Sequence, residues 1–208
     1  MRMALSRKKR IDIIRDRVIF SIHQRSRPRL ILWTVLETPH FLRRSRRLDT
    51  LLKKIEDYVV RDLIIKTPYG TFAVPDSSAL NVIAPFYEDW LTKRLLTIFK
   101  TNSSMIFLDV GAHIGKYTIL AGLALKNGVV IAVEPHPINF LYLLRNIALN
   151  KLSNVIPLRA ALWNREGKLK LYVVSRSELH SCKVKPVSYT HLRAHETSLH
   201  LVCRLLLE

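Results

Sequence analysis

The chain has 208 residues, 49% of them hydrophobic, and a formal net charge of +18. That length suits one domain with an extension, and the apolar content excludes a wholly disordered chain. No run of about 18 or more apolar residues is present to cross a membrane, and the basic N-terminus lacks the continuous apolar stretch of a signal peptide. The two cysteines, Cys182 and Cys203, make no metal or redox spacing. Their low number fits a reducing, cytoplasmic setting. The basic excess is concentrated, with 18 Lys/Arg against 7 Asp/Glu in residues 1–66. Such a patch attracts nucleic acid, anionic lipid or an acidic substrate. No nucleic-acid module accompanies it. A solvated helical face is therefore the plainer reading, no specific nucleic acid is expected, and peripheral contact with an anionic surface through residues 1–66 stays open.

In chain order, residues 10–24 place Ile11, Ile14, Val18 and Ile22 at helical spacing. Arg27-Pro28 breaks that pattern, and residues 29–37 read as a further short helix. A third helix is expected over 47–60, with Leu48, Leu51, Leu52, Ile55 and Val59 on one face. Packing of these helices on the following domain is the favoured reading. Residues 62–75 alternate as two strands around Pro68-Tyr69-Gly70. A helix follows from about Tyr87, with Leu91, Leu95 and Ile98 on one side. After the polar loop 101–104 the pattern becomes strand–helix–strand–helix–strand. The strands are 105–110, 129–134 and 154–160, and the helices 115–126 and 137–150. MIFLDV is a short apolar run, as a strand buried in a parallel sheet should be. Pro157 marks the third strand as peripheral. GKLKLYVV (167–174) alternates and reads as a fourth strand.

The chemistry concentrates in Asp109-Val110-Gly111-Ala112-His113-Ile114-Gly115, which closes a strand and opens a helix. Gly111 and Gly115 remove side chains where backbone must approach a ligand, and the helix start presents unpaired N–H groups. The spacing departs from G-x-G-x-x-G, and Asp109 would oppose a diphosphate. A cationic or hydroxyl-bearing ligand suits that carboxylate better. S-adenosylmethionine, with an ammonium and a sulfonium, has this character. Glu134 follows Asp109 by 25 positions, at the end of the next strand. An acid there can accept hydrogen bonds from ribose hydroxyls. His113 either caps the helix or contacts the ligand's carboxylate, and His136 reads as a turn residue. No metal site and no general base are singled out.

FLDVGAHIGKYTIL followed by VIAVEPHPINFLYLLRNIALN resembles the FkbM family of S-adenosylmethionine-dependent methyltransferases. LRAALWNREGKLKLYV, YGTFAVPD and FYEDW fit the same pattern, so the resemblance covers about residues 68–175. It implies an α/β fold: a partial Rossmann-like methyltransferase domain preceded by a basic helical N-terminal region. It further implies S-adenosylmethionine as cofactor, bound by Asp109, Gly111, His113, Gly115 and Glu134. Tyr117 and Thr118 would flank its amino-acid portion, and Ala160 and Ala161 would lie near its adenine. The acceptor it implies is a small molecule or glycan. Many members carry Asn where this chain has His113.

From Pro186 onward the sequence resembles the conceptual translation of a sequencing-library adaptor, in VSYTHLRAHET and LVCRLLLE. His191, His195, His200 and Cys203 are accordingly not taken as a metal site, and the natural chain is expected to be longer. The expected organisation is a basic extension over 1–66, a hairpin and helix over 67–104, an incomplete cofactor-binding domain over 105–185, and a non-native tail over 186–208. Two other readings compete: an NAD-dependent oxidoreductase, against which the missing G-x-G-x-x-G counts, and a basic module binding nucleic acid or a membrane surface.

Overall fold

The computed structural model describes residues 27–37, 46–163, 167–169, 171, 192–196 and 205–207. The helix expected over 10–24 lies outside them. Helices α1 (Arg27–Glu37) and α2 (Arg46–Val60) precede an antiparallel hairpin of β1 (Ile64–Thr67) and β2 (Gly70–Ala73). The hairpin turn falls at Pro68-Tyr69, as the alternation predicts. A short helix, α3 (Ser77–Ile83), comes next and was not foreseen from the sequence. Asp76 starts it by accepting the N–H of Ala79 at 2.8 Å, the usual N-cap bond. Helix α4 (Asp89–Thr101) buries Thr92, Leu95 and Phe99. The next elements are β3 (Ile106–Val110), α5 (Lys116–Ala124), β4 (Val129–Val133), α6 (Pro137–Leu149) and β5 (Val155–Leu158), with β6 (Ala161–Trp163) and β7 (Gly167–Leu169) after them. Strands β8 (Leu192–Glu196) and β9 (Leu205–Leu207) complete the described elements.

The main sheet has the order β5-β4-β3-β9. Strands β3, β4 and β5 are parallel and joined by the helices α5 and α6, a Rossmann-like α/β arrangement. Strand β5, which carries Pro157, lies at the sheet edge, where a missing N–H costs least. On the other side β9 pairs antiparallel with β3. A trileucine run thus satisfies an open sheet edge whatever its origin. The three-residue β6 was not foreseen; it pairs with β8.

Register explains which residues build the core. Phe107 and Asp109 stand beside Val130 and Ala132 on one face of the sheet, and these four are buried. The opposite face carries Ile106, Val129, Ile156 and Leu158, all partly open to solvent. One apolar cluster joins Phe107 and Val130 to Tyr117, Leu120 and Leu125 of α5 and to Leu95 and Phe99 of α4. The rings of Phe99 and Phe107 meet edge to face at 5.1 Å. A second cluster joins Leu30 and Trp33 of α1, Val60, and Phe72 of the hairpin to Ile119, Ala132, Leu143 and Ile147. The N-terminal helices therefore share the core of the sheet domain.

The orientation of α2 differs from the sequence expectation. Glu56 and Val60 are buried, whereas Leu51 and Ile55 of the expected inner face are 56% and 40% exposed. A hydrophobic stripe records amphipathicity, not which side meets the core. Here the buried side is fixed by polar contacts as well. Lys53 donates to the hydroxyls of Ser77 and Ser78, and Asp57 accepts from the N–H and hydroxyl of Ser77.

Candidate functional site

The site lies at the carboxyl ends of β3 and β4, where open α/β sheets place their ligands. Asp109 and Glu134 come from these adjacent strands, and both carboxylates are buried. The turn after β3 is tied to the end of β4. The N–H groups of Gly111 and Ala112 both donate to Val133 O, at 2.8 and 3.0 Å. Glu134 then links two turns: Oε2 accepts from His113 N–H at 2.8 Å, and Oε1 accepts from His136 N–H at 2.9 Å. Burial pushes the Glu134 carboxyl up to about 7, and the nearby Asp109 charge pushes the same way. The two backbone donors and the Asn139 side chain oppose that rise.

The two glycines do different work. Gly111 adopts φ +75° and a Cβ built on it meets nothing within 4 Å, so open space fronts this part of the turn. Gly115 adopts φ +94°, and a Cβ there would come within 2.7 Å of Leu143 Cδ1. Its missing side chain allows close packing of the turn on α6. His113 has φ +55°, so three residues of the five-residue turn are left-handed. Gly115 is the N-cap of α5 and, as a glycine, supplies no side-chain cap.

The neighbouring residues divide similarly. Thr118 Oγ1 donates to Asp109 Oδ2 at 2.7 Å, so its hydroxyl positions the acid. Tyr117 is buried against α4, and its hydroxyl donates to Glu88 Oε2 at 2.5 Å. Lys116 donates to Tyr87 O and lies 5.1 and 5.2 Å from the ring centroids of Tyr87 and Tyr117. The segment before α4 is thereby pinned to the first turn of α5. Ala160 and Ala161 are buried just beyond β5. The bond from Glu134 N–H to Leu158 O, 3.1 Å, brings that strand end beside the acid. His136 caps α6, its ring accepting from Asn139 N–H at 3.3 Å. Among the described residues no group of His, Cys, Asp and Glu is placed to hold a metal ion.

The sequence reading missed Glu88, Asn139, Asn146 and Asn150. FYEDW held Glu88, but nothing in its spacing said that Tyr117 would find it. Asn146 and Asn150 carried a usable signal: two amides one helical turn apart at the end of a largely apolar helix. The Asn146 side chain bridges Ala73 and Ile114, holding the glycine turn to the hairpin.

No protein-family model matches the chain. The tRNA(Phe) (4-demethylwyosine(37)-C(7)) aminocarboxypropyltransferase of Methanocaldococcus jannaschii is 39% identical over 80 residues, 38% of this chain and 31% of that protein. The chain thus spans less than a third of this curated relative. Among solved structures, M. jannaschii TYW2 in complex with AdoMet is 33% identical, covering 51% of this chain and 46% of that one at a TM-score of 0.39. Trm5b from Pyrococcus abyssi is 24% identical, covering 47% and 28% at a TM-score of 0.35. The overlaps are partial and the superpositions loose, so they do not assign a family.

Proposed function

We propose that the chain is the cofactor-binding part of an S-adenosylmethionine-dependent transferase, of the FkbM methyltransferase type. The observation that supports this best is the joint placement of Asp109 and Glu134 at the ends of adjacent parallel strands, beside the open space in front of Gly111. The Asp109 carboxylate opposes a diphosphate, and the pair of buried acids suits a ligand with ribose hydroxyls and positive charge. Glu134 would hold the ribose. Asp109, oriented by Thr118, would face the cationic amino-acid portion. The backbone at Gly111 would form the wall between them. When bound, the cofactor supplies a carbon activated by its sulfonium. The protein's part is to position it and to set the field around it. No side chain is assigned as a general base.

Calorimetry with the full chain tests the reading. S-adenosylmethionine is expected to bind, NAD is not, and Glu134→Ala is expected to lose binding with the fold intact. Preference for NAD, or no binding by folded protein, overturns it.

A second reading is supported by the 39% match to an aminocarboxypropyltransferase. The same cofactor then donates a different carbon. Methyl transfer leaves S-adenosylhomocysteine, and aminocarboxypropyl transfer leaves methylthioadenosine. Chromatography of the nucleoside product separates the two. The assay needs both acceptor classes: small molecules or glycans, as the FkbM resemblance implies, and a tRNA, which the curated relative's name specifies.

A further inference from the structure

We propose that the helix pair α1–α2 docks on an anionic lipid surface. Each helix has one face in the core and one face outward. In α1 the inward residues are Leu30, Trp33 and Thr34, and the outward residues are Ile31, Leu32 and Val35. In α2 Glu56 and Val60 point inward, while Leu51, Lys54, Ile55 and Tyr58 follow one another along the outer stripe. Val35 and Tyr58 are 60% and 77% exposed. The helices are fixed to each other where Arg29, in the first turn of α1, donates to Val59 O at 2.6 Å and Arg61 O at 3.1 Å. These carbonyls end α2, where a cation also meets the negative pole of the helix.

The occupant follows from the mixture of side chains. Arg61 is exposed at the end of the α2 stripe and Lys54 within it. Phosphates of a nucleic acid would use the cations but gain nothing from outward aliphatic side chains. An apolar protein partner would use the aliphatics but leave the positive charge unanswered. A bilayer with anionic headgroups uses both, the apolar stripe entering the acyl boundary and the cations remaining at the headgroups. No described helix is long and apolar enough to cross the membrane, so the contact is peripheral.

The test is sedimentation of the full chain with phosphatidylcholine vesicles, with and without phosphatidylserine. Two variants accompany it: Val35→Ser/Leu51→Ser/Ile55→Ser/Tyr58→Ser, and Lys54→Glu/Arg61→Glu. All six positions are outward, and unchanged circular dichroism and thermal unfolding confirm each fold. The wild type is expected to bind only the anionic vesicles, and each variant to lose about tenfold or more in partitioning. The proposal is overturned if anionic vesicles are not preferred, or if the serine variant binds as wild type. It is equally overturned if the chain ignores vesicles but binds a tRNA transcript through the serine substitutions, which assigns the surface to nucleic acid. A dimer abolished by the serine substitutions, without vesicle binding, assigns it to a second copy. Should the serine variant fail to fold, the charge-reversal variant and the salt dependence decide.

Discussion

The side chain of Asn146 pairs with the backbone of Ala73 as a neighbouring strand would. Its Oδ1 accepts Ala73 N–H at 2.7 Å, and its Nδ2 donates to Ala73 O at 3.2 Å. One helical turn later Asn150 does the same to Thr71, at 2.9 and 2.7 Å. Thr71 and Ala73 are alternate residues of β2, whose other edge pairs with β1. The amides of Asn146 in α6 and of its C-cap Asn150 therefore close the free edge of the hairpin and dock it on the sheet domain.

Asn146→Ala is expected to destabilise the fold by about 2–4 kcal/mol. It strands the Ala73 N–H and the Ile114 carbonyl in the interior, and an unsatisfied buried group costs about 1–3 kcal/mol. Asn150→Ala, at a half-buried position, is expected to cost less. Urea unfolding of the two variants measures the difference. Equal, negligible losses would show that water replaces both amides.

The two turn glycines should separate stability from ligand binding. Gly111→Ala has room for its methyl group and costs only the left-handed backbone, on the order of 1 kcal/mol. It places that methyl in the open space assigned to the cofactor, so binding should fall sharply. Gly115→Ala adds a clash with Leu143 and should destabilise further, by about 1–3 kcal/mol. Leu143→Val should recover part of the stability lost in Gly115→Ala and none of the binding lost in Gly111→Ala.

Glu134 makes stability depend on pH. Its carboxyl is raised from 4.5 to about 7, so the folded state holds a proton that the unfolded chain releases in that interval. The contribution is full below pH 4.5 and is lost as pH rises through 7. The span is about 3 kcal/mol at most, before discounting for coupling to Asp109. Glu134→Gln should flatten that part of the profile. Thermal melts from pH 4.5 to 7.5 check it, and an unchanged slope in Glu134→Gln would falsify the assignment.

Thr118 is expected to act through Asp109. Thr118→Val keeps the shape but removes the 2.7 Å bond to the acid. Affinity for S-adenosylmethionine should fall about tenfold, the value of one hydrogen bond to a charged group. Thr118→Ser should retain most of it. Calorimetric titration of both variants reads the effect, and equal affinities would leave Thr118 a packing residue.

Much of the candidate site's placement was legible because its signals are local in sequence. Asp109 ends a strand, Gly111 must adopt a left-handed turn, and Glu134 ends the following strand; each depends on a few neighbouring residues. Pro157 likewise placed its strand at the edge. What failed depended on partners distant in the chain. Leu51 and Ile55 sit on an apolar stripe, yet Glu56 and Val60 took the interior because α2 meets Ser77 and Ser78 through Lys53 and Asp57. Gly115 could not reveal from its own segment that Leu143 would press against it.

By itself the sequence determined the strand–helix–strand–helix–strand order from β3 to β5, the glycine turn, and the two acids at the strand ends. These follow from period, backbone freedom and short-range spacing. Only the tertiary structure decided that Glu134 ties both turns together, that Thr118 belongs to Asp109 and Tyr117 to Glu88, and that Asn146 and Asn150 seal the hairpin. Each of those bonds joins atoms whose meeting depends on how α4, α5 and α6 pack against the sheet and hairpin. That packing is a sum over the whole core that no single segment encodes.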